Sequence, residues 1–204
     1  MSTALIIFAK APVAGQAKTR LIPALGAQGA AALAEKLLDH AVSQALKTDF
    51  SHLELCVTPD ATHAAFKRLL SQSNGRLCMS IQGDGDLGER MDGALTRCLQ
   101  HHRRALVIGT DAPSLDADVL KAADQALADQ EAVFVPAVDG GYALVGLTRP
   151  APQLFADMHW STPYVMAESR ARAKRSGLRW VELAPLVDID EPENLVHLPA
   201  GWRV

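Results

Sequence analysis

Short apolar runs alternate with longer amphipathic ones along the first two thirds of the chain. The runs 4–9 (ALIIFA), 53–58 (LELCVT), 77–82 (LCMSIQ), 105–109 (ALVIG) and 132–137 (AVFVPA) are short, apolar and often β-branched, which predicts strands buried on both faces. Between them the apolar positions fall at helical spacing. In 27–47, Ala30, Leu33, Leu37, Ala41 and Ala45 make one stripe, and 61–71, 87–102 and 116–129 read as further helices. Successive βα units predict an α/β fold, a Rossmann-like and mainly parallel sheet covered by helices on both faces. Beyond 137 the regularity breaks. DGGYALVG predicts a strand opened by two glycines, WSTP a turn into a helix over 164–176, and LRWVEL a last strand. No linker, repeat or low-complexity stretch interrupts 1–204, which predicts one domain.

Composition narrows the class without changing this picture. The 204 residues carry 20 Lys+Arg against 23 Asp+Glu, a formal charge of −3, which argues against nucleic acid as the main partner. With 49% hydrophobic and 21% charged residues, wholesale disorder is excluded. No apolar stretch approaches ~18 residues, and the first nine residues lack the basic flank of a signal peptide, so a cytoplasmic protein without membrane insertion is expected. Cys56, Cys78 and Cys98 show no CxxC spacing; they are expected to be reduced and mostly in the core, not a disulfide framework or a thiolate metal site.

The candidate chemistry lies in the loops that follow the strands, because ligands of open parallel sheets bind beyond the carboxyl ends of the strands. The loop after the first strand carries Lys10, Gly15, Lys18, Thr19 and Arg20, with no Asp or Glu before Glu35. Such a loop suits phosphate oxygens, the alternative being a solvated basic loop. It is neither a Walker A loop, since Ala17 precedes Lys18-Thr19, nor a GxGxxG fingerprint. After the fourth strand, Asp111 in GTDAP is a candidate ligand for a hard divalent cation or a turn cap. In DIDEP, alternation puts Asp188 and Asp190 on one side of the chain; Asp190 is a second candidate ligand or the N-cap of a helix starting at Glu191-Pro192. Gly85 and Arg90 in the third connection are candidate nucleotide contacts, against a turn capped by Asp86. Asp139, Gly140, Gly141 and Tyr142, with Trp160 and Ser161, are candidates for an acceptor pocket, against tight packing.

The segments FAKAPVAGQAKTRL (8–21), GDLGERM (85–91), IGTDAP (108–113), DGGYALVG (139–146), WST (160–162) and DIDEPENL (188–195) together resemble a bacterial glycosyltransferase-like family. That family is related to phospholactate guanylyltransferase and is sometimes linked with arsenosugar biosynthesis. The resemblance implies the GT-A, or nucleotide-diphospho-sugar transferase, fold. It implies Lys10, Gly15, Lys18 and Arg20 as nucleotide-phosphate contacts and Asp111 and Asp190 as ligands of Mg²⁺ or Mn²⁺. Two departures stand out: Asp111 is followed by Ala-Pro and forms no DxD, and Tyr142-Ala143 stands where the guanylyltransferase has Thr-Asn. The expected activity is metal-dependent glycosyl transfer from a nucleotide sugar to a small-molecule acceptor, with Lys18, Arg20, Asp111 and Asp139 in catalytic roles. Nucleotidyl transfer from an NTP to a phosphorylated acceptor is the alternative, favoured by the three cations of the first loop. A non-catalytic nucleotide-binding module comes third, and a homo-oligomer is left open.

Overall fold

The computed structural model describes residues 2–202. Among these residues the strands are β1 (Thr3–Lys10), β2 (His52–Thr58), β3 (Leu77–Ile81), β4 (Arg104–Ile108), β5 (Ala132–Pro136), β6 (Tyr142–Leu147) and β7 (Trp180–Glu182). They form one sheet in the order β3-β2-β1-β4-β6-β5-β7. The helices are α1 (Ile22–Leu46), α2 (Ala64–Gln72), α3 (Leu87–Leu99), α4 (Ala117–Ala126) and α5 (Val165–Arg175). β1 lies parallel to both β2 and β4, β2 to β3, and β5 to β7. β6 alone among the described strands runs antiparallel, between β4 and β5. An apolar run encodes burial and not direction, so the pattern that located β6 is silent about its orientation.

Strand alternation divides the core into two layers. Leu5, Ile7 and Ala9 of β1 face α1, α2 and α4, where Leu38, Val42, Phe66 and Leu120 cover them. Ala4 and Ile6 face the other way, against Met91, Leu95 and Cys98 of α3 and Met166 and Ala173 of α5. Each fully buried Phe or Leu contributes about 1.5–3 kcal/mol, and both faces of the central strands are filled this way. A third, smaller cluster joins Leu21, Leu33 and Leu37 to Ile189, tying the first connection to the last segment.

Two local expectations change. β3 is an edge strand with Cys78 and Ile81 exposed, so only its neighbours are buried on both faces. α1 starts at Ile22, but Gly26 sits at φ 70°, ψ 167° and breaks it. The regular helix therefore resumes near residue 27, where the apolar stripe begins, because a left-handed φ interrupts helical spacing at a position that glycine alone tolerates freely.

Candidate functional site

The strand order reverses at β1. The chain proceeds from β1 outward to β2 and β3, then returns through α3 to β4 on the other side of β1. That is a topological switch point, and a crevice of about 690 Å³ opens there at the carboxyl ends of the strands. Lys10 ends β1 and contributes to its wall, as do Lys18, Thr19 and Arg20 from the following loop. Asp111 enters from the loop after β4, Asp139 and Tyr142 from the β5–β6 turn, and Asp188 and Asp190 from the segment after β7.

Lys18 is the centre of this arrangement. Its side chain is only 7% exposed, and its Nζ donates to Asp111 Oδ1 at 2.5 Å and to Asp190 Oδ1 at 2.6 Å. Its backbone is left-handed, at φ 48°. An L-residue holds that conformation when its surroundings require it, here through the two ion pairs and the buried Leu21 that follows. Burial works against the ammonium charge, but Asp111 and Asp190 outweigh it and hold the Lys18 pKa above its ordinary value.

The last segment is threaded into the crevice by backbone pairing. Ala137 and Leu186 form a parallel bridge, and the Ile189 N–H donates to the Asp111 carbonyl at 2.8 Å. Ile189 is fully buried, whereas Asp188 and Asp190 on either side of it line the crevice. Burial, together with the charges of Asp139, Asp190 and Asp111, pushes the Asp188 carboxyl up to about 6. Asp188 thus belongs to the site beside Asp111 and Asp190, and the i, i+2 spacing that pairs it with Asp190 is the signal that points to it. Thr58 and Gln82, at the ends of β2 and β3, also line the crevice; polar residues closing apolar strands are their only signature.

The remaining candidates divide between crevice and scaffold. Arg20, 61% exposed, pairs with Glu191 at 3.1 Å. Lys10 Nζ donates to the Gln16 carbonyl at 2.8 Å, and Gly15 makes the intervening turn at φ 80°. Asp139 Oδ1 accepts from the Gly141 N–H at 2.8 Å. Trp160, with Tyr142 edge-on at 6.4 Å, walls the crevice beside Ser161; the Trp160 Nε1 donor is buried with no partner among the described residues. Gly15, Gly85, Arg90 and Gly140 fall outside the crevice lining. Arg90 Nε donates to the Gly85 carbonyl at 2.9 Å, and Asp86 caps α3 in a capping box, so this connection is a capped helix start and its contacts are internal. Gly140 faces the Pro163 backbone, to which an added Cβ would come within 2.1 Å, so tight packing accounts for this glycine. Asp190 is not the cap of the final 3-10 helix, Pro192–His197; Glu191 is, which leaves Asp190 with Lys18.

The donor set fits a hard divalent cation. Asp111 and Asp190 bond Lys18 Nζ through Oδ1 only, each carrying a second carboxylate oxygen, and Asp188 adds a third carboxyl in the same crevice.

A seven-stranded, mainly parallel sheet flanked by helices, with a switch-point crevice lined by carboxylates and cations, defines the nucleotide-diphospho-sugar transferase fold class. Comparison with known proteins gives the family. Over residues 27–162 the sequence matches the family described as "Uncharacterized protein conserved in bacteria (DUF2064)", and the chain belongs to that family. It is similar to a solved protein of Desulfovibrio desulfuricans G20 named as a candidate nucleotide-diphospho-sugar transferase, at 25% identity and a TM-score of 0.85, covering 94% of this chain and 84% of that one. The fold is shared with 4-diphosphocytidyl-2C-methyl-D-erythritol synthase of Anaerococcus prevotii DSM 20548, at 10% identity and TM-score 0.64, covering 96% and 93%. It is also shared with CMP:2-keto-3-deoxy-manno-octonic acid synthetase complexed with CTP, at 12% identity and TM-score 0.58, covering 97% and 96%. No curated protein matches the chain. No helix among the described residues is long and apolar enough to cross a membrane.

Proposed function

We propose that this protein is a nucleotide-dependent transferase that moves a glycosyl group from a nucleotide-diphospho-sugar to a small-molecule acceptor, with Asp111 and Asp190 as ligands of Mg²⁺ or Mn²⁺. The observation that carries the reading is the convergence of Lys18, Asp111 and Asp190 at the switch point. The likeness to the D. desulfuricans protein supports the donor class. When bound, the cation supplies neutralisation of the diphosphate leaving group. The chain's own groups do the rest. Lys10 and Arg20 stand at the crevice wall, where their charges reach phosphate oxygens. Lys18 holds a fixed positive charge against the site's carboxylates and sets its electrostatic balance before any ligand arrives. Asp139, fixed by the Gly141 N–H, is placed to accept the proton of an acceptor hydroxyl. Tyr142 and Trp160, with Phe8 and Met91, give the acceptor side an apolar wall.

Nucleotidyl transfer is the second reading, supported by Lys10, Lys18 and Arg20 on one loop, since three cations suit a triphosphate. One experiment separates the two. Thermal unfolding is followed with NTPs, NDPs and NDP-sugars, with and without Mg²⁺ or Mn²⁺, and released NDP and pyrophosphate are then assayed with the ligands that bind. A ligand at 100 times its Kd adds about 2.7 kcal/mol, or roughly 5–10 °C in Tm. A metal-dependent shift with one NDP-sugar, followed by NDP release, is the expected result. A shift confined to an NTP, with pyrophosphate release, moves the assignment to nucleotidyl transfer. No shift with any of them refutes both.

A further inference from the structure

All three cysteines, which their spacing in the sequence leaves unconnected, converge on one side of the sheet around Glu54. Glu54 and Cys56 share a face of β2, Cys78 lies opposite Glu54 in the β2–β3 register, and Cys98 descends from α3 onto the same spot. His52 shares that face of β2. Three of these side chains come within metal-sharing distance of one another. His52 Nε2 lies 3.2 Å from Glu54 Oε2 and 3.6 Å from Cys78 Sγ, and Cys98 Sγ lies 3.8 Å from Glu54 Oε2. His52, Glu54 and Cys98 place one ligand atom each within 4.8 Å of the others. In a tetrahedral zinc site, bonds of about 2.0–2.3 Å put neighbouring ligand atoms roughly 3.3–3.8 Å apart.

We infer that His52 Nε2, Glu54 Oε2 and Cys98 Sγ form a three-ligand binding site for a borderline-soft divalent cation such as Zn²⁺, separate from the crevice, with a fourth position open toward solvent. Sulfur and imidazole donors select Zn²⁺ over the hard Mg²⁺ or Mn²⁺ suited to aspartates. The surroundings support ligation. Arg97 donates to Oε1 at 2.6 Å and to Oε2 at 2.9 Å from the solvent side, and Ser80 donates to Oε1; this fixes the carboxylate and leaves one lone pair of Oε2 toward His52. His52 is about one third exposed and Cys78 is exposed, so the ion has an entry path, whereas Glu54 is 1% exposed and anchors the inner side. Burial pushes the Cys98 thiol up to about 11, so it is a thiol at neutral pH without metal. Ligation is then an exchange: Zn²⁺ enters, the Cys98 thiol releases a proton, and His52 keeps its remaining proton on Nδ1. The bound ion would pin helix α3 to β2.

Co²⁺ serves as a spectroscopic probe in Zn²⁺'s place. Metal-free full-length protein, wild type and Asp111→Asn/Asp190→Asn, is titrated with Co²⁺, and thiolate-to-cobalt charge-transfer absorption is recorded. Expected is one equivalent with that absorption in both proteins, displaced by Zn²⁺. Cys98→Ser abolishes it or weakens binding at least tenfold, His52→Ala weakens binding similarly, and Cys56→Ser leaves it unchanged. No charge-transfer band in the wild type, or a band that survives both Cys98→Ser and His52→Ala, overturns the assignment. The surface His52→Ala variant keeps the test decisive if Cys98→Ser fails to fold.

Discussion

Lys18 and Glu54 are both buried charges held by partners that reach solvent, yet their surroundings are opposite. Around Lys18 the partners outnumber the charge: Asp111 and Asp190 bond to it, Asp188 and Asp139 crowd the same crevice, and one carboxyl is driven up to about 6. Around Glu54 the account closes. Burial alone would raise its carboxyl, but hydrogen bonds from Arg97, Ser80 and His52 outweigh that and bring it down to about 2. The first cluster carries excess negative charge. The second is matched by Arg97, and a metal enters it only by displacing a proton from the Cys98 thiol. Excess charge draws a cation into the crevice, whereas at Glu54, already paired with Arg97, a cation has to be held by the donor atoms themselves.

Variants on each side sharpen or break this contrast. The largest effect is expected for Asp111→Asn, which removes one carboxylate of the unbalanced cluster. Turnover falls roughly 10³-fold, several kcal/mol of leaving-group stabilisation, while the urea midpoint falls far less, because Lys18 keeps Asp190 as a partner. Steady-state kinetics beside an unfolding curve checks both halves, and an equal loss of stability would place Asp111 in the scaffold. Next comes Arg97→Met, which strands Glu54 in the interior. Stability drops by about 3 kcal/mol in urea unfolding, while turnover per folded molecule is unchanged.

A smaller effect is expected from acid. The folded value of Glu54, about 2, lies below its ordinary 4.5, so its contribution is complete above pH 4.5 and is lost as pH falls toward 2. Urea midpoints of metal-free protein between pH 5 and 2.5 should therefore fall less steeply in Glu54→Gln than in wild type; parallel curves would contradict the closed network. Smallest is Arg20→Ala. Its pair with Glu191 is exposed, so stability changes by less than 1 kcal/mol, but KM for the nucleotide rises several-fold; unchanged KM and kcat would remove Arg20 from the site.

How much of this was legible in the chain depends on whether the signal was local. β1, β2, β4 and β5 announce themselves as continuous apolar runs, because both their faces are covered. The direction of β6 and the exposed edge of β3 are properties of the assembled sheet and leave no trace in periodicity. The loop cations and Asp111 stand out by charge and by their position after strands. Gly140 and Arg90 do not separate by type alone, since a glycine that admits a ligand and one that admits Pro163 look alike in sequence. The cysteine cluster escaped for the same reason: Cys56, Cys78 and Cys98 meet across β2, β3 and α3, where linear spacing has no bearing.

The Lys18–Asp190 bond also bears on how the protein is made. It joins residues 172 positions apart. A chain emerging from the ribosome presents the cationic loop and the first four βα units long before Asp188 and Asp190 appear, and contacts of such separation form late. The nascent chain therefore carries a half-built crevice for most of its synthesis, with Lys18 lacking one of its two carboxylate partners. If the assembled crevice is needed to hold the nucleotide, ligand-dependent protease resistance should appear abruptly in arrested chains long enough to expose residue 190, and not gradually with length.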